Sequence, residues 1–169
     1  MTTDARMIYV SSLRNTRALE QQGLQQMEIQ VSRLERYPDY AALLRQHIET
    51  TRGQIARLDQ ALQALGESPS TLKETVTSVV GTVGATVHAM AQDETLKNLY
   101  AGYAFQYQQI AAYRSLITIA ETAGETAHSG SFRQSIQEEE LAVKQVADII
   151  EPVTRRYVEL TLSGDKADR

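Results

Sequence analysis

Glu20, His47, Glu138 and Glu139 combine carboxylate and imidazole, the donor set of iron and manganese sites, on three separate stretches of a chain whose surroundings read as long amphipathic helices. A bundle that holds two metal ions draws glutamates from two helices and Glu-x-x-His pairs from the others. Glu20 supplies one acid, Glu138 or Glu139 another, and His47 an imidazole. These four are the candidate metal ligands. Three residues beyond His47, however, stands Thr50, and the remaining stretch offers only Gln106 and Gln109 where acids are expected.

Charge decides between two readings of this set. Two acids and a neutral imidazole carry about two negative charges, against the four positive charges of a divalent pair. Tight two-metal binding is not expected. In one reading Glu20 and Glu139 accept hydrogen bonds from Gln106, Gln109 and His47, and the resulting network fixes helix register. In the other, an altered carboxylate site holds iron or manganese and runs oxidase or peroxide-scavenging chemistry, with a single weakly held ion as the intermediate case. The shortage of charge favours the network and a non-enzymatic role.

Other residues carry less. His88 has no acid pair near it in sequence, His128 falls in a polar loop, and Tyr103, Tyr107 and Tyr113 lie on or beside an apolar helical seam, where aromatic residues serve packing. No nucleotide-binding glycine pattern, nucleophile elbow or Ser/His/Asp arrangement is present, so no catalytic or organic-cofactor residues are named. The absence of cysteine removes disulfides and thiolate metal sites.

The elements that must position the polar residues follow from apolar spacing of three and four. A first helix is expected from Asp4, as N-cap, to Arg36, with the seam Leu13, Glu20, Leu24, Met27, Val31, Leu34. Tyr37-Pro38-Asp39 breaks it, because proline drives the preceding residue out of helical angles and can itself open the next helix. The second seam, Leu44, Ile48, Thr51, Ile55, Leu58, Leu62, Leu65, stops at Gly66. A weaker connector helix, rich in Gly and β-branched residues, is expected over 71–91, followed by an N-cap at Asp93. The third seam is Leu96, Leu99, Tyr103, Gln106, Ile110, Tyr113, Ile117, Ala120, ending near Gly124. The fourth is Phe132, Ile136, Glu139, Val143, Val146, Ile150, Val153, Tyr157, Leu160, with Pro152 expected to kink it.

Each seam is thus interrupted once, at Glu20, at Thr51 beside His47, at Gln106 and at Glu139. The prediction is an all-α, antiparallel four-helix bundle with a buried polar layer and a connector helix between its two hairpins. Residues 1–162 form a single domain and 163–169 a disordered tail.

With 169 residues, 42% of them apolar, the chain can bury a core of its own. Net charge is −4, and the cations are scattered among acids; only Thr154-Arg155-Arg156-Tyr157 is locally basic. Such a surface repels nucleic-acid phosphate. No apolar run reaches membrane-spanning length, and MTTDARMIYVSSLRN has none of signal-peptide length, so a cytoplasmic protein that binds neither membrane nor nucleic acid is expected.

The order Arg17-Ala18-Leu19-Glu20-Gln21, RYPDYAALLRQHIETTRGQIARLDQAL, GESPSTLKE, DETLKN, YAFQYQQIAAYRSLITIAETAG and RQSIQEEE resembles the bacterial ferritin-like proteins typified by YciE and YciF, from about Tyr9 to Tyr157. That resemblance implies a ferritin-like bundle, usually a homodimer, a link to stress responses, and in some members a di-iron centre; action by structure or through an unidentified protein partner is the expectation for this chain. Glu20, His47, Glu138 and Glu139 match the family. Members with a full site carry acids at the positions of Thr50, Gln106 and Gln109, where a string like FENFEIAAY stands against FQYQQIAAY here.

Overall fold

Asp4 opens the first helix by accepting the Arg6 backbone N–H at 2.5 Å, which satisfies one of the donors left free at a helix start. A computed structural model describes residues 4–68 and 94–168 of the chain, and these form α1 (Ala5–Val31), α2 (Pro38–Ala64), α3 (Glu94–Ala123) and α4 (Ser129–Leu162). A single 3₁₀ turn, Thr126–His128, precedes α4. There is no strand among the described residues. The connector expected over 71–91, with His88, and the expected cap Asp93 lie outside them.

The chain leaves α1 earlier than the seam predicts, at Val31 rather than Arg36. Leu34 and Tyr37 bond back three residues, to Val31 and Leu34, so the segment winds as tight turns that bring Pro38 to the first position of α2. At the other end of α2, Gly66 adopts φ +75°, which lets Glu67 donate to Leu62 at 3.0 Å and close the last turn. Gly124 does the same for α3, with φ +73° and Glu125 donating to Ala120 at 2.9 Å. Helix α4 runs without interruption through Pro152.

Each helix packs antiparallel to its two neighbours. Arg17 of α1 pairs with Asp59 of α2, Arg33 of α1 with Glu94 of α3, and Gly23 of α1 meets Phe105 of α3. Leu44 of α2 shares a cluster with Val146 of α4, while Gln54 reaches Glu139 and Arg57 reaches Ser135. The helices therefore stand in the cyclic order α1, α2, α4, α3. Leu65 lies beside Arg6 at one end of the bundle, and α3 begins beside Arg33 at the other.

The core has two apolar halves. One gathers Tyr9, Leu13, Leu58, Leu62, Tyr113 and Phe132. The other gathers Met27, Tyr40, Leu44, Leu99, Val146 and Val153. Between them, midway along all four helices, the buried residues turn polar.

Residues 163–166 are exposed, and the chain then returns to the bundle. Ala167 is buried in the second apolar half, its carbonyl accepts the Tyr37 hydroxyl at 2.7 Å, and Asp168 accepts the Thr95 backbone N–H at 3.0 Å. The tail thus caps the start of α3 with an acid, which suits the positive end of the helix dipole.

Candidate functional site: a buried carboxylate, imidazole and amide layer

Helical periodicity stacks His47, Thr51 and Gln54 on one face of α2, at i, i+4 and i+7, and sets Gln106, Gln109 and Tyr113 on one face of α3. Opposite them stand Glu20 of α1, and Ser135 and Glu139 of α4. All nine are buried, and Glu20 and Glu139 are fully removed from solvent.

Two chains of hydrogen bonds organise the layer. Gln109 donates its amide to Glu20 Oε2 at 2.7 Å. Glu139 Oε1 is met from two sides, by Gln54 Nε2 at 2.8 Å and His47 Nε2 at 3.1 Å, while Gln106 Nε2 lies 3.1 Å from His47 Nδ1. For a neutral imidazole one proton placement satisfies both contacts: Nε2–H donates to the carboxylate and Nδ1 accepts from the amide. Gln106 therefore holds the tautomer that serves Glu139.

The acids repel. Burial, followed by the charge of Glu139, pushes Glu20 up to about 8, although contacts with Tyr113, Gln109 and Arg57 pull the other way. Glu20 is a neutral acid over most of the physiological range. Burial and the nearby Glu20 carboxyl also push the Tyr113 phenol well above its ordinary value, so it stays protonated. Several oxygens of the layer find no hydrogen-bond partner among the described residues: Glu20 Oε1, Glu139 Oε2, Thr51 Oγ1, Gln54 Oε1, Gln106 Oε1 and the Tyr113 hydroxyl. The Glu139, Gln54 and Gln106 oxygens can only accept, whereas the two hydroxyls and the protonated Glu20 can also donate.

Of the sequence-predicted ligands, Glu20, His47 and Glu139 come together in this layer with Gln106 and Gln109. Glu138 does not. It turns sideways by the helical advance of one residue, pairs with Arg57 and accepts Gln134 Nε2 at 2.9 Å. Glu140 points farther out, to Arg114 at 3.0 Å. Thr50 sits outside the layer, its hydroxyl on the Gln46 carbonyl at 3.2 Å. His128 stacks obliquely on Phe132, and Tyr103 meets Tyr107 edge to face, away from the acids.

Spacing missed Gln54, Ser135 and Arg57. Arg57 donates to Ser135 Oγ at 3.1 Å as well as to Glu138, and so carries a positive charge to the edge of the layer. No group of three acids or histidines among the described residues is arranged to hold a metal ion. No described helix is long and apolar enough to cross a membrane.

A protein-family model described as a domain of unknown function, DUF892, matches residues 4–159. Among solved structures the chain is similar to a protein of Xanthomonas campestris pv. campestris, at 26% identity and a TM-score of 0.78 over 94% of this chain and 98% of that one. It is also similar to the E. coli stress protein YciF, at 19% identity and a TM-score of 0.73 over 89% of this chain and 96% of that one. At 19% identity the second likeness speaks for the fold alone. The family match spans nearly the whole helical bundle, polar layer included, and the chain belongs to the DUF892 family.

Proposed function

We propose that this protein is a ferritin-like bacterial stress-response protein, cytoplasmic and homodimeric, whose carboxylate site has become a metal-independent register lock, and which acts through its folded surface on protein partners. The observation that carries this reading is the occupation of the acids: Gln109 bonds to Glu20, and Gln54 and His47 bond to Glu139. A hydrogen-bonded layer of this kind penalises any slip of one helix against another, because a slip would strand buried polar groups.

The residues do not fit a pair of divalent ions. Their acids supply at most two negative charges, Glu20 resists ionisation, and the one further matched acid, Glu138, is held by Arg57. One observation favours the rival reading of an iron or manganese oxidase: Glu20 Oε1 and Glu139 Oε2 are both without a partner.

Anaerobic loading with ferrous ion followed by elemental analysis separates the two. The register-lock reading expects far less than one ion per chain, and a Glu20→Ala variant that loses stability with no change in metal content. Two ions per chain, with consumption of oxygen or peroxide, would overturn it.

A further inference from the structure

A cleft of about 320 Å³ opens between α1 and α3 and leads inward to the polar layer. Met27, Leu44, Leu99, Phe105 and Val146 form its apolar walls, and the Arg33–Glu94 ion pair stands at its exposed rim. His47, Gln106 and Gln109, all buried, form its inner end. An apolar cavity of about 150 Å³ accommodates a benzene ring, so this one has room for a ring and a short chain.

Gly102 lines the cleft, and a Cβ built there meets nothing within 4 Å, so the missing side chain leaves space.

The inner end also selects a head group. Gln106 uses its amide nitrogen on His47, which leaves a buried amide oxygen without a partner. Behind it Glu139 and Gln54 present further unfilled acceptor oxygens. An anionic head would add negative charge beside Glu139 and would leave the Gln106 oxygen without a donor; a head that gives a hydrogen bond would relieve that buried acceptor.

We propose that this cleft binds a small molecule with an apolar, ring-sized body and a hydrogen-bond-donating head, a hydroxyl or an amine, seated against Gln106. The site is independent of the metal reading, since it uses the amide rather than the carboxylates.

Three probes of equal body and different head test it on the full chain: 2-phenylethanol, 2-phenylethylamine and phenylacetate, followed by ligand-observed NMR and calorimetry. The expected result is saturable binding of the alcohol and the amine, at least ten-fold tighter than the acid. Gly102→Leu, which fills open space and favours helix, should fold normally and weaken both by ten-fold or more. Gln106→Leu should bring the alcohol and the acid to similar affinity. If that variant fails to fold, Gly102→Leu and the head-group series still decide. Absence of saturable binding of the alcohol and the amine, equal binding of phenylacetate to the native chain, or unchanged binding by folded Gly102→Leu would each overturn the proposal.

Discussion

Gln109 of α3 donates to Glu20 of α1 across the middle of the bundle at 2.7 Å, and that neutral amide faces an acid which burial has pushed up to about 8. The ordinary carboxyl value is 4.5, so between these limits the folded chain holds a proton that the unfolded chain has released. The contribution of Glu20 to stability is then greatest below the lower limit and falls as pH rises through the window, by at most about 1.4 kcal/mol per unit, levelling off above the upper limit. Urea unfolding of the native chain and of Glu20→Gln at pH 5 and pH 8 measures this directly. The variant should be the more stable of the two at pH 8 and show a flatter profile. Equal slopes in both proteins would show that Glu20 titrates normally.

The two glutamines of α3 differ in what they face, which orders the effects of returning acids to them. Gln109→Glu places a third carboxyl directly against Glu20 and should destabilise the metal-free protein by about 3 kcal/mol. Gln106→Glu puts its acid against His47 Nδ1, where a protonated imidazole can answer it, and should have a smaller effect. The double variant should bind divalent ions more tightly than the native chain and regain stability on adding them. Thermal unfolding with and without manganese checks both statements; insensitivity of the double variant to the ion would show that charge was not what the layer lacked.

Much of this layer was legible in the sequence because several of its members interrupt an apolar seam at the same height. Glu20, Gln106 and Glu139 are marked in that way, as are the helix ends at Gly66 and Gly124, where only the left-handed turn closes the last carbonyls. The run Glu138-Glu139-Glu140 was harder: the seam passes through Glu139, yet Glu138 also stood as a candidate ligand, and it is packing that turns it aside to Arg57. Gln54 escaped notice because it sits at the edge of its seam, where a glutamine ordinarily reaches solvent. The stripe His47, Thr51, Gln54 was the available signal. Nothing local could reveal the docked tail, since Ala167 and Asp168 find their partners at Tyr37 and Thr95, far away in sequence.

Gly23 allows α1 and α3 to approach at the level just beyond the polar layer. A Cβ at that position would come within 2.7 Å of Phe105 Cε1, inside any tolerable contact. Gly23→Ala should therefore destabilise the protein by about 1–3 kcal/mol, even though alanine is the better helix former. Shortening the opposing ring, as Gly23→Ala with Phe105→Leu, should recover part of the loss. A denaturation series on the two single variants and the double gives the coupling energy, and simple additivity would mean that the helices separate to absorb the methyl group.

The tail makes the last case, because its contacts join three elements at one end of the bundle. Asp168 accepts the Thr95 N–H in the first turn of α3, and the Ala167 carbonyl takes the hydroxyl of Tyr37, the residue that opens α2. Asp168→Ala removes only the cap and should cost about 1 kcal/mol. Deletion of residues 165–169 also exposes the pocket that Ala167 fills and strands the Tyr37 hydroxyl, so it should cost more than the point change. Tyr37→Phe removes the second hydrogen bond from the other side, and its effect should largely disappear in the deleted chain, where that bond no longer exists. Hydrogen exchange of the α3 amides beginning at Thr95 supplies the local readout: faster exchange confined to that end is expected. If the deletion leaves both global stability and those amides unchanged, the tail packs on the bundle without holding it.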